Sequence, residues 1–130
     1  MPGHVYLFSE ELLEWEEARD MCSLLGGFLV QIESHHENNC ILKFCVETEL
    51  TDWWWSSGND LETPGVYVQA TGEEILWQPR WESLHSSPAY TALQLHTGRD
   101  FAGGAWRDAD PRSSSKYICE KILPPPAPLL

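Results

Sequence analysis

Apolar and polar positions change period several times along this chain, and the changes mark its elements. Val5 to Phe8 is a short apolar run that reads as a strand. From Glu11 to Leu25 the spacing becomes helical. Trp15, Ala18, Cys22 and Leu25 fall at i, i+3, i+7 and i+10 and form one stripe. Glu10, Glu11, Glu14, Glu16 and Glu17 crowd the start of this helix, where its dipole favours negative charge. Gly26 and Gly27 end it, because glycine takes the left-handed conformation at little cost. Phe28 to Ile32 reads as a strand. Ser34 caps a second helix, with Glu37 three residues on as a capping box, and Ile41, Phe44 and Cys45 supply its apolar face.

Three consecutive tryptophans, Trp53 to Trp55, follow. On a strand their side chains alternate, so Trp53 and Trp55 share one side and Trp54 takes the other. This strand must be covered on both faces and lies at the centre of the fold. Ser56 to Asp60 reads as its exit turn. Val66 to Ala70 alternates like a strand and turns through Thr71-Gly72 into Glu74 to Trp77. Residues Gln78 to Pro88 lack periodicity and read as a long loop. Tyr90 to Leu95 is a strand, Gly98 to Gly104 a turn, and Trp106 opens an acidic loop through Pro111. Lys116 to Glu120 is the last strand. Two helices followed by strands and loops predict an α+β domain, helices flanking a mostly antiparallel sheet.

Composition narrows the function. The chain has 130 residues, enough for one domain with a real core. Twenty acidic against 8 basic residues give a formal net charge of −12. Nucleic acid and anionic membrane surfaces need Lys/Arg neutralisation, so neither is an expected partner. Among the apolar runs, none has the length of a membrane span. The first residues lack the basic and apolar regions of a signal peptide. Residues 1–3 are read as a leader or an expression addition, 4–122 as the domain, and 123–130 as a proline-rich tail. The sequence holds no Asn-x-Ser/Thr sequon, so no N-glycan is expected.

Several spaced motifs resemble the C-type lectin-like domain family, in the arrangement of invertebrate secreted lectins. Tyr6 and Phe8, Trp15 to Ala18, and Cys22 with Gly26 to Ile32 resemble its opening strand and first helix. Ser34 to Glu37 resembles the start of its second helix. Trp55-Ser-Ser-Gly stands at its Trp-Ile-Gly signature, and Gly65 to Trp81 resembles the hairpin before its long loop. Trp106-Arg-Asp108 stands at the Trp-Asn-Asp position, and Tyr117 to Glu120 at the closing strand. The resemblance implies a Cys22–Cys119 disulfide and a secreted, non-catalytic recognition domain. Such a domain binds a glycan or a protein through its long-loop face, in some arthropod relatives as part of innate recognition.

The chain also departs from that family. The second disulfide of the long-loop region is missing. Cys40 and Cys45 instead lie on the second helix, where an intact helix would hold their Cα atoms roughly 8–9 Å apart, beyond bridging distance. A local Cys40–Cys45 bridge with a distorted helix is expected; buried free thiols or pairing between chains are the alternatives. In the family, a Glu-Pro-Asn or Gln-Pro-Asp triplet and the Asn-Asp of Trp-Asn-Asp hold calcium, and sugar hydroxyls complete the shell. Here Glu82 to Pro88 carries no such triplet, and Arg107 replaces the asparagine. Calcium needs six to eight oxygens. Asp108 is therefore a remnant ligand, with Asp60, Asp110 or Glu82 as helpers, and calcium binds weakly or not at all.

Arg80, Glu82, His85, Arg107 and Asp108 are the candidate ligand-binding residues. Arg80 and Arg107 could hold a carboxylate or sulfate on a glycan, though Arg107 is read first as neutralising Asp108, Asp110 or Glu82. His85 and His96 could meet Asp108. His35 and His36 are about 100° apart on a helix and read as surface residues. Trp77, Trp81 and Tyr90 could stack on sugar rings or anchor a protein partner; Trp77 and Trp81 could instead plug the base of the loop, the reading preferred for Trp81. Recognised nucleophile, phosphate-loop and metal-helix motifs are missing, so catalysis is not expected. The alternative function is a protein-interaction or structural matrix module without sugar binding. Whether the chain forms a homo-oligomer stays open.

Overall fold

The computed structural model describes residues 3–75, 77, 91–99 and 103–124. Among them the chain runs β1 (His4–Leu13), α1 (Trp15–Leu24), β2 (Phe28–Leu29), α2 (His35–Glu47), β3 (Trp53–Asn59), β4 (Ala92–His96), β5 (Trp106–Ala109) and β6 (Ser115–Ile122). The strands form one sheet in the order β1-β6-β3-β4-β5, with β2 added on β6. Only β3 and β6 pair in parallel among these strands; the other ladders are antiparallel.

The tryptophan strand is at the centre, as its alternation predicts. Trp54 and Trp55 are both fully buried, but in different cores. Trp54 packs with Val30, Ile32, Leu93, Leu95, Trp106 and Ile118. Trp55 packs with Trp15, Ala18, Cys22, Leu29 and Tyr117. Each indole N–H needs an acceptor when buried. Trp54 donates to Thr97 Oγ1 at 2.7 Å and Trp55 to the Leu13 carbonyl at 2.9 Å. The strand continues through Ser56 to Asn59, so the turn expected there is strand instead. Ser56 Oγ finds its acceptor in the Leu93 carbonyl at 2.9 Å, which makes its burial tolerable.

The first helix begins later than its glutamates suggest. Glu11 to Leu13 prolong β1, whose pairing with β6 resumes at Leu13 opposite Ser115 after a bulge. Ladder formation overrides helix propensity at this boundary. Glu14 becomes the N-cap, and its N–H donates to Glu17 Oε1 at 3.1 Å. Trp15, Ala18 and Cys22 form the buried stripe. Leu25 is half exposed at the C-cap and does not join it. Gly26 is left-handed at φ +85°, and a Cβ on Gly27 would lie 2.2 Å from the Glu120 carbonyl oxygen. Both positions therefore require glycine.

Cys22 and Cys119 are bonded across 97 residues, with Cα atoms 5.3 Å apart. In the chain-entropy account this closure stabilises by roughly 4 kcal/mol. The expected Cys40–Cys45 bridge is absent. α2 runs unbroken, so five residues separate the two sulfurs by well over a quarter turn. Cys45 is buried and Cys40 exposed, both as free thiols. Phe44, expected on the apolar face, is half exposed and stacks on Phe8 at 5.3 Å. Ser34 does cap α2, accepting from the Glu37 N–H at 3.1 Å. The Glu37 carboxylate, however, takes the N–H of Glu33 at 2.8 Å and not that of Ser34.

Two further segments differ from expectation. Trp106 to Ala109 is not a loop but β5, paired with β4 from Ala92↔Ala109 to Leu95↔Trp106. The hairpin at Val66 to Glu74 is reduced to single bridges, Asn59↔Val68 and Val68↔Glu74. Glycines before β5 and Asp110-Pro111 after it hide its alternation, which becomes legible only from its partner strand.

Candidate functional site

β4 and β5 present opposite faces with different chemistry, because successive strand side chains alternate. Leu93, Leu95, Trp106 and Asp108 share the face that carries Trp54. Gln94 and Arg107 lie on the other, beside Trp53. Trp106 anchors β5, its indole N–H donating to Asn38 Oδ1 at 2.9 Å. Asn38 Nδ2 in turn donates to the Gly104 carbonyl at 3.1 Å.

Asp108 is 9% exposed, and its Oδ1 has no hydrogen-bond partner among the described residues. A buried carboxylate oxygen without a donor is costly. Near it, Tyr67 shares a hydrogen bond with Thr91 Oγ1 at 3.1 Å. Burial pushes the Tyr67 phenol up, and the charges of Asp60 and Asp108 push the same way. Tyr67 therefore stays protonated at neutral pH.

Asp60 was a candidate helper, but its oxygens are occupied. Oδ1 accepts from the Thr91 N–H at 2.6 Å and the Thr91 hydroxyl at 3.0 Å, and Oδ2 from the Gly65 N–H at 2.9 Å. It clamps the segment after β3 to the start of β4. Asp110 is exposed and binds Arg112 through both oxygens, at 3.2 Å each. Arg112 holds the Asp110 carboxyl below the usual range. Neither aspartate is placed as a helper to Asp108.

Arg107 is turned away from Asp108. Its guanidinium lies 4.0 Å over the Trp53 ring, and Nε donates to Gln94 Oε1 at 2.8 Å. A planar guanidinium suits such stacking. The expected pairing of Arg107 with Asp108 fails because adjacent strand residues face opposite ways. His96 also sits on the Arg107 side, edge-on to Trp53 at 4.7 Å, so it does not meet Asp108. Trp77 acts as a plug: it packs edge-on to Trp106 at 5.8 Å and donates to the Ile32 carbonyl at 2.8 Å. His35 rests edge-on against Trp77 at 4.9 Å, and His36 Nε2 is 3.6 Å from Cys40 Sγ. Arg80, Glu82, His85, Trp81 and Tyr90 lie outside the described residues.

Among the described residues, Asp108 Oδ1 is a buried carboxylate oxygen without a donor. Arg107 offers no acceptor in place of an asparagine.

Residues 11–121 match the model of the lectin C-type domain. The chain belongs to the C-type lectin domain family. Mouse C-type lectin domain family 3 member A is 30% identical over 121 residues, which are 92% of this chain and 60% of that protein. The chain thus spans about 60% of the length of such curated relatives. The mouse scavenger receptor C-type lectin carbohydrate-recognition domain superposes with a TM-score of 0.79 at 22% identity, covering 98% of this chain and 94% of that one. A calcium-independent type II antifreeze protein superposes at 0.74 with 18% identity, covering 94% and 88%. These likenesses establish the C-type lectin-like α+β fold. C-type lectin domains bind glycans or proteins, are generally non-catalytic and are often extracellular. Among the described residues, no helix is long and apolar enough to cross a membrane.

Sequence reasoning singled out Asp108 but missed Tyr67 and Thr91. Their role depends on the Asp60 clamp, which joins residues 31 positions apart. It also missed a second polar cluster, His4 with Tyr6, Glu37 and Glu120. The period-2 alternation of His4, Tyr6 and Phe8 was the available signal.

Proposed function

We propose that this C-type lectin domain is an extracellular, non-catalytic recognition domain that engages a glycan or protein ligand through its long-loop face. In this reading the usual calcium-and-sugar set is dismantled. The observation that carries it is Asp108: one buried carboxylate oxygen lacks a donor among the described residues, while Arg107 stacks on Trp53 on the other face of β5. The absence of a Glu-Pro-Asn or Gln-Pro-Asp triplet between Glu82 and Pro88 supports it. Arg80, Glu82 and His85 are the remaining candidate contacts, with Asp108 at the base. A role in recognising microbial surfaces accords with the secreted lectins that the chain resembles.

A glycan array run in calcium and again in chelator tests the proposal, beside a calorimetric calcium titration. The expected result is glycan binding that a chelator leaves unchanged, or no glycan binding and capture of a protein ligand that Arg80→Ala or His85→Ala weakens. Binding to mannose or galactose that requires calcium and vanishes in Asp108→Asn would overturn it.

A further inference from the structure

The sheet ends at β1, which pairs with β6 and with no other strand among the described residues. Its bonding pattern sets which backbone groups face outward. The Leu123 N–H donates to the Gly3 carbonyl at 2.7 Å, so these two residues are a bonded pair. Bonded and non-bonded pairs alternate in an antiparallel ladder, which makes Val5, Leu7 and Ser9 the residues bonded to β6. The Ile118 carbonyl agrees: Ile118 stands opposite Phe8, yet its carbonyl accepts from Val30 on the other side. His4, Tyr6 and Phe8 therefore turn their N–H and C=O groups to the open edge. Such an edge is a template for another strand unless charge, proline or a bulge blunts it. None of these lies between Val5 and Ser9, and the register shifts only beyond Ser9.

The same three residues send their side chains towards α2. There Glu37, Cys40, Ile41 and Phe44, at i, i+3, i+4 and i+7, form the facing wall. Strand and helix border a groove of about 330 Å³. Its middle is apolar, with Phe8 stacked on Phe44. On the opposite face of β1, Val5 and Leu7 are each 48% exposed. An added strand alternates in the same way, so it would cover both faces at once.

Both ends of this edge are acidic. At the first, Glu37 Oε2 accepts from the Tyr6 hydroxyl at 3.0 Å and Glu120 Oε2 lies 2.5 Å from His4 Nδ1. Among the described residues, the ion pair that reaches either carboxylate comes from His4. At the second, Glu10 and Glu11 are exposed. Lys116 Nζ lies 3.8 Å from Glu10 but is held more closely by Asp52, at 2.9 Å. A second copy of this chain, itself at −12, is repelled by these ends, and a basic partner is attracted.

We propose that the open edge of β1 and its groove against α2 dock an extended segment of a partner protein, apolar in the middle and carrying Lys or Arg at both ends. The segment adds to the sheet as an antiparallel strand. Its residues opposite His4, Tyr6 and Phe8 exchange backbone hydrogen bonds with them and point into the groove. Those opposite Val5 and Leu7 cover the other face. Backbone bonds supply affinity, while the groove and its acidic ends supply selectivity. This surface stands at the other margin of the sheet from Asp108 and does not rely on the proposed ligand face.

The test is fluorescence anisotropy of the full chain with a synthetic peptide, Lys-Thr-Ile-Val-Leu-Thr-Lys, laid antiparallel from Glu10 to His4. One-to-one binding that weakens as salt is added is expected. Exchanging both lysines for glutamate should weaken it about tenfold or more. In this register the Ile amide faces β1, opposite Phe8, and the Val amide faces away, opposite Leu7. N-methylation of the Ile amide should therefore weaken binding at least about tenfold more than N-methylation of the Val amide. Phe44→Ala should weaken binding about tenfold, with near-UV circular dichroism checking the fold, and Asp108→Asn should leave it unchanged. No binding of the peptide by the intact chain would overturn the proposal. So would equal binding of the two methylated peptides, or a stable dimer in sedimentation that Leu7→Lys converts to monomer, since a second copy would then hold the edge.

Discussion

Two margins of one sheet treat a buried carboxylate differently. On β5, Asp108 has an oxygen without a donor among the described residues. On β6, Glu120 is buried more deeply, yet both its oxygens are engaged, by the Gln31 N–H and by His4. The β6 margin is also tied covalently, because Cys119 beside Glu120 is bonded to Cys22. The β5 margin is held by its ladder to β4 and the Trp106–Asn38 hydrogen bond, with the Asp60 clamp at the start of β4. A braced margin carries the fold, and a less committed margin can serve recognition, where loops on a rigid frame usually act.

The comparison can be broken most severely at the brace. Replacing Cys22 and Cys119 together with serine should cost roughly 4 kcal/mol, read by denaturant melts of the reduced-free and wild-type chains. A cost near zero would show that the β6 margin does not depend on the bond. The clamp comes next. Asp60→Asn sets an amide N–H₂ against donors from Thr91 and Gly65, and should cost about 1–3 kcal/mol. Hydrogen exchange should quicken in residues 60–75 and at the start of β4, while β1 and β6 remain protected.

Asp108→Asn should behave in the opposite sense. Removing a buried charge whose Oδ1 lacks a donor among the described residues should leave stability within about 1 kcal/mol of wild type, on the stabilising side. A loss above about 2 kcal/mol would mean that Asp108 is as well held as Glu120, and the contrast would collapse. The smallest effect concerns the thiols. Burial pushes the Cys45 thiol up to about 11, with a hydrogen bond from Thr97 pulling weakly the other way. Iodoacetamide near neutral pH should therefore label the exposed Cys40 in the folded chain and reach Cys45 only after unfolding. Cys40→Ser should change stability by less than about 0.5 kcal/mol.

Much of the frame was legible before any coordinates. The Trp53–Trp55 alternation located a strand covered on both faces, and Trp54 and Trp55 do enter separate cores. The Trp15, Ala18, Cys22 stripe and the Ser34 cap were likewise readable, since each rests on local spacing. The candidate site was legible only in part. Asp108 could be named from its motif position, but the direction of Arg107 could not, because it depends on which face of β5 meets the core. Helix spacing showed that an intact α2 keeps Cys40 from Cys45, and the expectation of a bridge arose from the cost of spare thiols.

By itself, then, the chain determined its two helices, its family and the single strand on which both cores rest, because period and capping act over a few residues. Only the tertiary structure decided that Glu37 and Glu120 come together beside His4, and that Asp108 stands apart from Arg107. Those outcomes follow from strand register and from contacts between residues as far as 116 positions apart. A shift of one residue in that register would send every side chain involved to the other face.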